Sequence, residues 1–170
     1  MSTSQTDAIL ANVFSSVQER LATIPDLQFI GMDIGQLEWG EENASPVLFP
    51  CVLLGRIDIN YTDNKKSIQQ GDAILELLLA MAAPGPGQDS GSTAADYFNL
   101  EHKINQALHG WCDQQYFNPM SRVRAKNKRR KRTDIRVRAL RFGFGFVDDT
   151  AMQVGHTGQR PDMVLSLQLS

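Results

Sequence analysis

Two strand-like segments separated by a short polar turn constrain this chain more than any other feature. The first, "FPCVLLGRIDINY" (Phe49 to Tyr61), is rich in β-branched residues, and its Arg56, Asp58 and Asn60 alternate with Ile57, Ile59 and Tyr61. That is the period-2 pattern of a half-buried strand. "TDNKK" follows as a turn, and "SIQQGDAILELLLAM" can then return antiparallel. Ile74 to Leu79 is apolar at every position except Glu76, which suits a central strand buried on both faces, with a short helix as the alternative. Gly71 and the preceding turn favour the strand, in a long hairpin.

Around this hairpin the apolar period changes. Ile9, Leu10, Val13, Phe14, Val17 and Leu21 recur at three- and four-residue steps, with Ser4 or Thr6 available as a cap and Pro25 just beyond, so an amphipathic helix opens the chain. Phe29 to Ile34 reads as a short apolar strand, and "GQLEWGEENAS" as an acidic, glycine-broken loop. A second helix is predicted where Tyr97, Leu100, Ile104, Ala107, Leu108 and Trp111 repeat at helical spacing behind a Thr93/Asp96 capping box.

Beyond Pro119 the alternation returns. Val123 and Ala125 alternate with Arg122, Arg124 and Lys126, and Ile135, Val137 and Ala139 with Asp134, Arg136 and Arg138. The parity then shifts to Phe142, Phe144 and Phe146, for which a bulge near Leu140 or Arg141 is the simplest expectation. "VLSLQLS" (Val164 to Ser170) alternates as a closing edge strand. The predicted fold class is α+β, an antiparallel or mixed sheet packed against two helices, with a long basic β-hairpin. One domain over 1–170 suffices at this length, with 83–94 ("APGPGQDSGSTA") as a flexible loop and 121–147 as the extended hairpin.

Charge is segregated within that plan. Lys126 to Arg132 places six basic side chains in seven residues, and Arg122 to Arg141 holds 11 of the 17 Lys and Arg against one acid, a local charge of +10. The remainder carries six cations against 18 acids, −12, so the whole chain is close to neutral at −2. A protein that only coats nucleic acid is usually basic overall, because affinity for phosphate grows with each counterion released. Aromatic residues are also absent from Arg122 to Arg141, which leaves bases no stacking platform within the cluster itself. The partition suits copies of one subunit meeting head to tail, basic arm on acidic surface. The expected contact residues are Lys126, Lys128, Arg129, Arg130, Lys131, Arg132, Arg136 and Arg138 on the arm, and Glu41 and Glu42 on the acidic side. A nucleic-acid-binding accessory domain using the basic ribbon is the alternative.

No catalytic or metal constellation emerges, and no cofactor is expected. His102 and His109 fall two helical turns apart, too far to share a metal, and His156 has no Cys nearby. "FGFGF" lies in an aromatic strand rather than before a helix, so it lacks the context of a glycine-rich nucleotide loop, and its glycines suit close packing. Cys51 and Cys112 are far apart in apolar stretches and read as buried free thiols. No apolar run is long enough to span a membrane and no leader pattern opens the chain, so a cytoplasmic start is expected.

Taken together, the opening helix, "FPCVLLGRIDINY" paired with "QQGDAILELLLAM", the helix ending "NQALHGW" and "RVRALRFGFGFVDDTA" resemble the tail-terminator and tail-completion proteins of long-tailed bacteriophages and prophages. The resemblance spans most of the chain without a strict motif. It implies a structural virion protein of the tail or neck, assembled in the bacterial host cytoplasm. Its subunits would form a ring, most simply a hexamer, that caps the tail tube and joins it to the head-tail connector protein, with no catalysis. The long basic hairpin and the "PGPGQDSGS" loop depart from the family pattern. Such a ring encloses the path of DNA, and a strongly basic lumen would retard it, so the Lys126 to Arg132 tip is expected to point along or outside the ring.

Overall fold

The three-and-four spacing of the first apolar stripe produces helix α1 (Ile9–Leu21), which buries Val13, Val17 and Leu21. The computed structural model describes residues 8–38, 47–65, 68–85, 87, 90–129 and 131–150. The N-cap of α1 is Ala8, with no side-chain cap, so the expected capping by Ser4 or Thr6, both outside the described residues, is replaced by an uncapped start. Arg20 lies in the last turn, where its charge complements the helix dipole. Its Nε also donates to the Ala107 carbonyl at 2.9 Å, tying this helix end to the second helix.

The other elements follow in order: β1 (Phe29–Met32), β2 (Cys51–Lys65), β3 (Ile68–Ala82), α2 (Ser90–Leu108), β4 (Ser121–Lys128) and β5 (Ile135–Asp148). The sheet is mixed and open, in the order β1-β2-β3-β5-β4, with β1 parallel to β2 and every other pair antiparallel. The fold is α+β. Helix α2 starts at Ser90, so Thr93 and Asp96 lie inside its first two turns rather than at its cap.

Both faces of the sheet carry a core. On one, α1 and α2 cover Val52, Leu54, Leu75, Leu77, Leu79, Leu140, Phe142, Phe144 and Phe146. On the other, Leu37, Val47 and Phe49 from the connection between β1 and β2 pack over Cys51, Leu53, Leu78, Ala80, Ile135, Val137 and Ala139. This second core corrects the expected bulge in β5. The pairing of β5 with β3 runs unbroken from Ile135↔Ala82 to Asp148↔Gln69. The parity of buried residues changes because the two halves of β5 bury opposite faces: Ile135, Val137 and Ala139 enter the second core, Leu140 to Phe146 the helix-covered one. The register shifts fall instead in β2, between Leu54 and Ile57, and in β4, between Arg122 and Arg124.

The basic hairpin is ordered by this sheet. Fourteen consecutive residues of β5 pair with β3, and the turn after β4 is held where the Ala83 N–H donates to the Asp134 carbonyl at 2.7 Å. The predicted closing strand at 164–170 lies outside the described residues.

Candidate functional site

The sheet distributes the cations of β4 and β5 between its two faces, and each face presents one acid to receive them. On the outer face Glu76 of β3 accepts from Lys128 Nζ at 3.0 Å and from Arg141 Nε at 2.8 Å. Burial pushes the Glu76 carboxyl up, but the hydrogen bonds and charges of Lys128 and Arg141 outweigh it and hold the group below its ordinary value. Glu76 was the polar exception in an otherwise apolar strand, and these two cations explain how it is tolerated there.

On the helix-covered face the acid is Glu101 of α2, whose side chain is only 8% exposed. Arg138 Nε makes a direct ion contact with Oε2, and Arg138 Nη2 and Arg122 Nη1 each reach Oε1 at 3.5 Å. Arg138 also donates from Nη1 to Asn127 Oδ1 at 3.0 Å, and its guanidinium lies 5.5 Å over the Phe98 ring. A third pair, Arg132 with Asp134, closes the turn, and the Arg132 hydrogen bond keeps the Asp134 carboxyl low.

The predicted contact residues therefore divide. Lys128, Arg132 and Arg138 are each ion-paired within the subunit. Lys126, Arg129, Lys131 and Arg136 are exposed and make no ion pair to a described residue, as does Arg124 beside them on β4. Arg130, Glu41 and Glu42 lie outside the described residues.

Between the start of α2 and the hairpin lies a cleft of about 410 Å³. Tyr97 and Phe98 of α2 and Ile135 and Val137 of β5 contribute apolar lining, and Lys128, Arg129, Arg132 and Arg136 cationic lining. Burial pushes the Tyr97 phenol up to about 12 despite the nearby Arg138 and Arg136 charges, so it stays neutral at physiological pH. Phe98 is 55% exposed at the mouth. Sequence reasoning passed over it because it falls one residue off the buried stripe Tyr97, Leu100, Ile104. A large aromatic placed off the stripe was itself the available signal.

The remaining candidates do not converge. His102 lies in a separate cleft with Asp26, Asp96 and Lys103, while His109 Nδ1 accepts the Arg122 backbone N–H at 3.2 Å. Among the described residues no three His, Cys, Asp or Glu side chains could hold a metal. Cys51 is buried and Cys112 partly buried, both free thiols, and His156 lies outside the described residues. No described helix is long and apolar enough to cross a membrane.

The arrangement is that of a mixed-sheet α+β fold with one basic edge and a cleft beside it lined by cations and aromatic rings. No protein-family model matches the chain, and no curated protein matches it. Among solved structures it is similar to a chain from the virion of a native gene transfer agent (GTA) particle, with a TM-score of 0.60 at 16% sequence identity. The match covers 84% of this chain and 99% of that one, and at such identity it is a likeness of fold.

Proposed function

We propose that this chain is a structural virion protein of the tail-terminator or tail-completion type, a subunit that assembles into a ring, most simply of six copies. The ring caps the tail tube and meets the head-tail connector, and DNA passes through it without being held. The observation that carries the reading is the correspondence of fold with nearly the whole of one chain of a gene transfer agent virion, here on a subunit whose charges are segregated. Among the described residues no strand pairs with the outer edge of β1, with exposed Phe29 and Met32, or of β4, with Arg124 and Lys126. A chain that works by docking needs no catalytic group, and the reading asks for none.

The exposed Phe98 beside Arg129 and Arg136 favours a second reading, because it offers a base a stacking surface that the hairpin sequence lacks. Negative-stain imaging and light scattering of the purified protein, alone and with tail-tube subunits, separate the two. Closed rings, lost on Arg124→Glu with Lys126→Glu, are the expected result. A monomer under both conditions that binds DNA with an affinity falling steeply with salt transfers the assignment to the nucleic-acid reading.

A further inference from the structure

We propose that the cleft between α2 and the β4–β5 hairpin is the seat for the acidic tryptophan segment of a second copy of this chain. Trp39 would lie against Phe98, with Glu41 and Glu42 facing Arg129 and Arg136. The inference rests on the self-association reading and names the surfaces that meet.

The cleft's own chemistry selects the occupant. Its lining is mixed, with Tyr97 and Phe98 offering aromatic surface beside the cations, and at about 410 Å³ it lies within the usual range for a pocket that takes a large side chain with its flanks. A bare phosphate or carboxylate would leave the exposed Phe98 ring uncovered. Charge then narrows the choice. Lys128 and Arg132 in the lining already face Glu76 and Asp134, whereas Arg129 and Arg136 make no ion pair to a described residue. Among the described residues these two cations lack an acid, and the ligand that fits is an aromatic side chain flanked by carboxylates.

The sequence contains such a ligand. Glu38-Trp39-Gly40-Glu41-Glu42 brackets one indole with three acids, and it belongs to the part of the chain that carries −12. The described fold ends at Glu38, exposed, and resumes at Val47, with Trp39 to Pro46 outside the described residues.

Two variants test the proposal while leaving the subunit intact, because Arg129 and Arg136 are exposed and ion-pair with no described residue. Trp39→Ala removes the ligand, and Arg129→Glu with Arg136→Glu removes the seat. Light scattering should show that each variant alone fails to assemble, while an equimolar mixture forms dimers, since each supplies the half the other lacks. Independently, a fluorescein-labelled peptide of residues 37–45 should bind the Trp39→Ala protein and lose about tenfold or more in affinity on the seat variant.

Assembly of wild-type rings with no peptide binding, and rings unchanged by Trp39→Ala, would overturn the inference while leaving the ring. A wild-type monomer that binds the peptide through Arg129 and Arg136 would support the seat and remove the ring. Where the wild type assembles, failure of the mixture to form dimers would overturn the inference, and in either case so would a single-stranded oligonucleotide that outcompetes the peptide and is released by the seat variant.

Discussion

Removing the carboxylate of Glu101 should weaken the attachment of α2 to the sheet, and the size of the effect follows from exposure. Glu101 is 8% exposed and Arg138 18%, so that arm of the clamp is nearly desolvated, while Arg122 at 37% can turn toward water. Breaking a fully buried ion pair by removing one partner costs about 3–5 kcal/mol, against about 0–1 kcal/mol for an exposed one. With one arm of each kind, Glu101→Leu should destabilise the fold by about 2–3 kcal/mol. For a urea dependence of about 2 kcal/mol per molar, the unfolding midpoint then falls by about 1–1.5 M. Arg138→Met should lose a similar amount, because it strands the carboxylate under the helix. The double variant should recover to within about 1 kcal/mol of wild type, since no uncompensated charge remains between α2 and β5. A midpoint shift under about 0.3 M for Glu101→Leu, or a double variant whose loss is the sum of the singles, would refute the account, because coupling is what a shared buried contact requires.

Three other expectations use the same denaturation and labelling methods. A Cβ at Gly71 would meet the Phe146 ring at 2.4 Å, and that ring is buried and stacked edge-on against Tyr61; Gly71→Ala should therefore cost about 1–3 kcal/mol as overpacking, read as a lower melting temperature. Because Lys128 and Arg141 hold the Glu76 carboxyl below its ordinary value, its contribution is present above the unfolded carboxyl pKa of about 4.3 and is lost as pH falls through the folded value. The urea midpoints of wild type and Glu76→Gln should thus differ at pH 7 and converge on acidification toward pH ~3, and a gap that stays constant would exclude the linkage. Burial pushes the Cys51 thiol up to about 12, so a thiol reagent at pH ~8 should modify Cys51 only on unfolding, with Cys112 labelled first; mass spectrometry of the labelled peptides distinguishes them.

What the sequence displays is the pattern along one element, and what it conceals is the partner across. The helical stripe Val13, Val17, Leu21 and the alternation through Ile57 and Ile59 were legible because each reports burial of a face of its own segment. The same rule misled at Leu140, since it assumes that a strand keeps one buried face, whereas β5 passes from one core to the other without a bulge. The partners of the basic hairpin were hidden for a related reason. Glu76 and Arg141 are 65 positions apart and Glu101 and Arg138 are 37 apart, so nothing local announces either clamp.

Pairing within the fold redistributes the +10 of the basic stretch rather than cancelling it. Arg122, Lys128, Arg132, Arg138 and Arg141 each face an acid of their own subunit, two of those acids coming from outside the basic stretch. Only Glu76 and Glu101 are new to the count, so folding lowers the local charge from +10 to about +8 and most of the cluster stays cationic. The described cations that remain are Arg124 and Lys126 on the edge strand β4, Arg129 and Arg136 lining the cleft, and Lys131 in the turn. Unpaired described cations set beside exposed Phe98 combine charge with apolar surface, and it is on that combination that the proposed docking role rests.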